Sequence, residues 1–260
     1  MTWITLCGKG RSRTKHDEVT PLLCDYKGRS YVQNIEVAPM QHDDLVKATD
    51  TTHRAFLKEA LMVYFSSADT RPFREARNKA QYYLSYDDAI HKQRMLTVNK
   101  ADALMRYSTP GDPKGLTRWR TFLTALIDKL DNRELAKRKK EVEGKIGAMV
   151  EDAFGEKVKD MYEVQALATA PEAQGRGYGS ALVTAVTDMG DADGHDVWLI
   201  TSDAYGFYET LGFSVIRLDF VGADNPKWKG KPVGVRIMYR PAKTANAMNE
   251  KRRREGTVEV

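Results

Sequence analysis

The feature that most constrains this 260-residue chain is a glycine-rich turn set between a strand and a helix. Tyr162 to Ala168 and Val197 to Thr201 are apolar runs of strand length. Between them lie Gln174-Gly175-Arg176-Gly177-Tyr178-Gly179 and a helical stretch from Ser180 to Met189. A strand, turn, helix and second strand in that order form a crossover, which normally joins parallel neighbours. Such a turn gathers backbone N–H groups at the positive end of a helix dipole, and absent side chains at Gly175, Gly177 and Gly179 let an anion approach them. Arg176 adds positive charge. A ligand carrying phosphate is the physical expectation.

Two nucleotide-binding readings fit poorly. A Walker loop needs Gly-Lys-Ser/Thr, which the chain lacks. A dinucleotide fingerprint needs Gly-x-Gly-x-x-Gly near the first strand; here the third glycine comes one residue early, Ser180 stands where it belongs, and the unit comes late in the chain.

The rest of the chain supplies further elements. Val32 to Val37 alternates like a strand and Pro39 ends it. Asp43 or Asp44 caps a helix predicted to run to about Phe65, and a second helix spans Phe73 to His91. Arg94–Val98 and Ala103–Tyr107 form a hairpin turned by Asn99-Lys100-Ala101-Asp102. Leu116, Trp119, Phe122, Leu123, Leu126, Ile127 and Leu130 recur at helical spacing. A further helix follows Asn132, with Glu134/Arg138 and Glu141/Lys145 as i,i+4 pairs on its outer face and Lys137–Lys140 as a solvated basic run. A short helix, Ala204 to Leu211, is stopped by Gly212, and the strands Phe213–Phe220 and Val233–Tyr239 close the pattern.

Gln174-x-x-Gly177-x-Gly179 resembles the pyrophosphate signature of the GNAT superfamily of acetyl-CoA-dependent N-acetyltransferases. Two flanking pieces carry the same resemblance in the same order and spacing. Val164 to Glu172 is similar to the family's fourth strand and the loop after it, and Phe207-Tyr208-Glu209-Thr210-Leu211-Gly212-Phe213 to its aromatic-Tyr-Glu-x-x-Gly-Phe segment. The close resemblance covers 162–213; across 31–108 and 213–241 it is an order of elements. It implies an α+β fold: a mixed, mostly antiparallel sheet flanked by helices, with parallel strands four and five splayed apart. The domain is expected over 31–242, between an extension at 1–30 and a basic polar tail at 243–260. The helical stretch 116–154 between strands three and four looks similar to insertions in fungal-type members.

The resemblance also implies site residues. Leu167 is expected to hold the thioester carbonyl through the backbone of strand four, and Ala168 and Thr169 the pantetheine arm. Gln174, Gly175, Arg176, Gly177, Tyr178, Gly179 and Ser180 are expected to cradle the pyrophosphate. Tyr208 lies at the usual general-acid position, to protonate the departing thiolate. Glu163 falls where the histone-acetylating branch places its glutamate base. A base helps because an amine with a pKa near 10.4 is only about one part in 2,500 neutral at pH 7. The family often has asparagine seven residues before Tyr208; here it is Thr201, and Ser202 is expected to replace its hydrogen bond to the pantetheine.

Charge and composition narrow the partners. Basic residues number 41 and acidic ones 36, a net +5. Residues 1–30 hold six bases and three acids, and 243–260 five and three, which leaves 30 of each in between. A nucleic-acid-binding domain concentrates positive charge on its folded face; this neutral body argues against nucleic acid. Apolar runs far short of the roughly 18 residues of a spanning helix argue against a membrane. The opening residues lack the basic segment of a secretory signal. Cys7 and Cys24 make neither a disulfide framework nor a metal quartet. The five histidines show no metal-ligand spacing, so no metal is expected. The expectation is a cytoplasmic monomer or homodimer, with Lys251-Arg252-Arg253-Arg254 as a weak nuclear alternative. The reaction expected is direct transfer from acetyl-CoA to a primary amine of a small molecule or xenobiotic. A protein lysine or N-terminal amine comes second, and a non-catalytic acyl-CoA-binding regulatory module is the rival of another class. Trp119 and Tyr64 read as core rather than as acceptor pocket.

Overall fold

The computed structural model describes residues 35–112 and 131–243 and, between them, Leu123, Ala125, Asp128 and Lys129. In chain order its elements are β1 Ala38–Pro39, α1 Leu45–Phe56, α2 Ala60–Ser66, α3 Arg74–His91, β2 Met95–Val98, β3 Ala103–Ser108, α4 Arg133–Phe154, β4 Tyr162–Thr169, α5 Tyr178–Asp193, β5 Val197–Thr201, α6 Tyr205–Glu209, β6 Ser214–Val221 and β7 Val233–Arg240. Residues 1–30, Val32–Asn34, most of the helix expected over 116–130 with Trp119, and the tail after Lys243 lie outside the described residues.

The strands form one sheet in the order β1-β2-β3-β4-β5-β7-β6. Among these strands only β4 and β5 pair in parallel, as the crossover through α5 requires. Their pairing covers Tyr162–Val164 against Val197–Leu199 and then stops. Beyond it, β4 runs on to Thr169 and β5 to Thr201 without meeting, so the sheet opens into a wedge. On the other edge of β4 the register against β3 slips: Tyr107 faces Val164 while Arg106 faces Ala166. Gln165 is therefore a bulge residue at the mouth of the wedge.

One sheet face packs against α5, with Val164 and Leu167 meeting Leu182, Val183 and Val186. The other face is covered by α1 and α3 at one end and by α2 and α4 at the other. The β2–β3 turn holds Asn99, Lys100 and Ala101 all at positive φ, which non-glycine residues avoid. Buried hydroxyls hold this turn: Thr51 donates to the Ala101 carbonyl, and Thr97 accepts from the Ala101 amide, both at 2.8 Å.

Three expectations need correcting. The helix expected to run to Phe65 breaks at Leu57–Glu59, where the Glu59 carboxylate caps α2 by accepting from the Met62 amide at 2.8 Å. Glutamate is not a favoured cap, so the local sequence carries no break signal. Among the described residues the first strand pairs at Ala38–Pro39 rather than over 35–37, and the rest of the expected strand, 32–34, lies outside them. Ile35 and Val37 are spent on the core instead, and Pro39 is tolerated on an edge strand. The outer face of α4 is not outer. Arg138 is fully buried, hydrogen-bonded to the Tyr64 carbonyl and Ser67 Oγ and stacked over the Tyr64 and Trp228 rings. Glu141 accepts from Tyr64 Oη at 2.7 Å and from the Gly222 amide at 2.8 Å. Lys139 pairs with Asp128 and Asp131, leaving Lys137 and Lys140 as the exposed members of the basic run.

The C-terminal end of the sheet is anchored by a buried ion pair. Arg240 donates two hydrogen bonds to Asp191 at 2.8 and 2.6 Å. Burial pushes the Asp191 carboxyl up, but Arg240 and the Lys243 amide outweigh it and hold it below its usual value. A depressed carboxylate stabilises the fold above its unfolded pKa, about 3.9, and that stability is lost as the pH falls through the folded value. Asp191→Asn is expected to cost about 3 kcal/mol at neutral pH by stranding Arg240. Urea melts against pH check this: the difference from wild type should shrink below about pH 4.

Candidate functional site

β4 ends at Thr169, a 3-10 turn follows at Pro171–Ala173, and the chain enters α5 through Gln174–Gly177. Gly175 and Gly177 both hold φ near +80°, where a side chain is strained. A Cβ on Gly177 would also stand 3.2 Å from Ile35 Cδ1. Gly177 occupies the N-cap of α5 and no described side chain caps it, so the first-turn amides of a 16-residue helix point to an exposed turn with no side-chain acceptor among the described residues. α4, by contrast, is capped by Asn132. Surrounding contacts hold the turn: Gln174 Nε2 donates to the Thr169 carbonyl, Arg176 to the Glu172 carbonyl, and Asn99 Nδ2 to Tyr178 Oη. Arg54 grips the Glu172 carboxylate with both nitrogens. Arg176 is exposed, Tyr178 buried, and Gly179 and Ser180 half-buried in the first turn of α5.

The wedge between β4 and β5 begins beside this turn. Leu167 and Ala168 are fully buried and Thr169 half-buried along the unpaired reach of β4. On the α5 face, Tyr208 of α6 is fully buried among β4, α5 and Phe213, its ring edge-on to Phe207 and Phe213. Thr201 and Ser202, at the far end of β5, are both buried. Thr201 Oγ1 has no hydrogen-bond partner among the described residues. Ser202 is committed: its hydroxyl donates to Glu59 Oε1 and its carbonyl accepts from Arg236.

Glu163 lies on the opposite face from Tyr208, in the stretch of β4 still paired with Trp198 of β5. Gln165 Nε2 donates to its carboxylate at 3.0 Å. Its charge faces the buried Arg106 guanidinium, which burial pushes down in pKa and which Glu163, Tyr86 and Asp88 push back up.

Glu59 was not visible as a site residue in the sequence. It is buried, at the N-cap of α2, with Oε2 on the Met62 amide and Oε1 on Ser202, 143 positions away. Asp203, next in line, accepts from the Ala60 amide at 3.2 Å. No local signal marks Glu59, because its partner arrives only when β5 packs against α2.

A cavity of about 450 Å³ opens on this face, between α2, α3, α4 and Ala166 of β4. Phe56, Leu61, Met62, Tyr82 and Ile146 give it an apolar body. Burial raises the Tyr82 phenol far above its usual pKa, with the Tyr86 and Glu59 charges adding to the effect. Asp69, Arg71 and Arg77 form a paired rim at 2.8 Å. Burial pushes the Asp69 carboxyl up, and the two arginines more than reverse it. Tyr64 is core and does not line this cavity.

Residues 131–215 match the family model of the acetyltransferase (GNAT) domain. Among solved structures, arylalkylamine N-acetyltransferase 2 from Aedes aegypti superposes with a TM-score of 0.54 at 14% identity, over 81% of this chain and 100% of that one. An agmatine N-acetyltransferase variant in its apo form superposes at 0.51 and 16% identity, over 80% and 99%. At these identities the structural likeness speaks for the fold. No curated protein sequence matches the chain.

Proposed function

We propose, from the premise that this chain belongs to the GNAT superfamily of acetyltransferases, that it moves an acetyl group from acetyl-CoA directly to the primary amine of a small molecule. The observation that carries this reading is one continuous arrangement. A helix N-terminus that no described side chain caps, a wedge between parallel strands and a cavity with an apolar body follow one another along β4. Members of the superfamily use acetyl-CoA as co-substrate. Gln174–Ser180 would hold its pyrophosphate, Leu167–Thr169 its thioester and pantetheine arm, and Thr201 Oγ1, the open hydroxyl at the end of β5, would take the place assigned above to Ser202.

The acceptor enters from the opposite side. A cavity of about 450 Å³ is of the size that encloses a small ligand, and its aromatic and aliphatic walls favour an amine on an apolar body. For the chemistry, the amine must lose a proton and the thiolate must gain one. Ser202 and Glu59 supply a route for the first, from the hydroxyl to a buried carboxylate beside the cavity. Glu163 is less suited, since its charge already serves Arg106. Tyr208 supplies the second from the other face of the sheet.

The direct test is calorimetric titration of the protein with acetyl-CoA, followed by thiol release against a panel of amines. Binding with turnover on apolar small amines is the expected result. Turnover only on peptides would move the acceptor to protein amines. Binding without turnover on any amine would favour the regulatory module, and no binding would overturn the whole reading. Gly177→Ala checks the cradle, because it places a Cβ at a left-handed φ and against Ile35. Acetyl-CoA affinity should fall by about tenfold, with the melting temperature lowered only slightly.

A further inference from the structure

The sequence shows no metal-ligand spacing among the histidines, yet the fold brings two of them to one carboxylate. His42 stands in the 3-10 turn His42–Asp44 between β1 and α1, while Asp87 and His91 lie one turn apart at the end of α3. His42 Nε2 is 3.2 Å and His91 Nε2 3.6 Å from the same atom, Asp87 Oδ1. All three donor atoms lie within 4.8 Å of one another. The two imidazole rings lie with centroids 4.6 Å apart and planes tilted by 56°. We propose that His42, Asp87 and His91 form a binding site for a divalent ion of the zinc class, separate from the acetyl-transfer site.

The donor set and the spacing agree on the ion. Two imidazole nitrogens and one carboxylate oxygen suit zinc rather than magnesium or calcium, which take oxygen ligands. Zinc bonds of about 2.0–2.1 Å in a tetrahedral arrangement put neighbouring donors about 3.3 Å apart. The two distances to Asp87 already bracket that value, so small side-chain rotations complete the site. Both histidines are about half-exposed, which leaves the fourth position to water. The consequence is mechanical. The ion ties the turn that leads into α1 to the end of α3, and those two helices carry Phe56 and Tyr82 into the cavity wall.

The test starts from full-length protein stripped with a chelator and titrates it with zinc chloride alone. Melting temperature should rise by roughly 5–10 °C at a hundredfold excess over Kd, and cobalt(II) should give the visible absorption of a four-coordinate site. Both signals should vanish in His42→Ala and in His91→Ala, whose metal-free melting temperatures report whether they fold. Asp87→Asn should weaken binding by more than tenfold. Zinc that leaves the wild type unmoved overturns the proposal. So does an equal shift in the two histidine variants, which would place the ion on other ligands such as Cys7 and Cys24.

Discussion

Tyr208→Phe is expected to lower turnover by about a thousandfold while leaving acetyl-CoA affinity nearly unchanged, in line with the 10²–10⁴ that a positioned acid contributes. The substitution removes one oxygen and keeps the ring that packs edge-on to Phe207 and Phe213, so it opens no cavity. A packing role and a chemical role therefore separate in one variant. If the hydroxyl protonates the leaving thiolate, kcat and kcat/KM fall together, and thiol esters with better leaving groups recover part of the loss. Turnover that stays within about twofold of wild type, a loss far below what general acid catalysis supplies, would leave Tyr208 as a core residue.

Glu59→Gln is the second large effect. The amide keeps a carbonyl oxygen to accept from Met62, so α2 stays capped, but it cannot take a proton from Ser202. kcat/KM is expected to fall by about a hundredfold or more at pH 7. Glu163→Gln provides the contrast. It leaves Arg106 buried opposite a neutral group, so its cost should appear mainly in melting temperature, with kcat/KM reduced several-fold at most. The reverse outcome, in which Glu163→Gln abolishes turnover and Glu59→Gln is mild, would return the base to β4.

The glycine turn was legible because its requirements are local. A left-handed φ at Gly175 and Gly177, an uncapped helix start and a strand on either side are all written in adjacent residues, and the structure holds them within a few positions of the expected boundaries. The hairpin β2–β3, the long helix α4 and the final pair β6–β7 were legible for the same reason: period and turn chemistry act over a few residues. Even the splay of β4 from β5 entered only through a family resemblance. Neither strand contains a residue that announces where pairing stops.

What the chain leaves to tertiary structure is the partnership of polar side chains far apart in sequence. Glu59 reads as one more residue of an amphipathic helix until Ser202, 143 positions on, is brought against it. Arg138 reads as part of a solvated basic run until Tyr64 and Trp228 close over it. His42 and His91 read as unrelated until α3 lays its last turn beside the start of α1. The physical reason is the range of the forces that decide each case. Backbone dihedrals and helical periodicity are set by neighbours along the chain, so the sequence alone determined the strand, turn and helix around Gly175 and Gly177. A buried charge needs a partner wherever the packed core happens to offer one, so the Glu59–Ser202 contact and the histidine pair were decided only when the helices closed on the sheet.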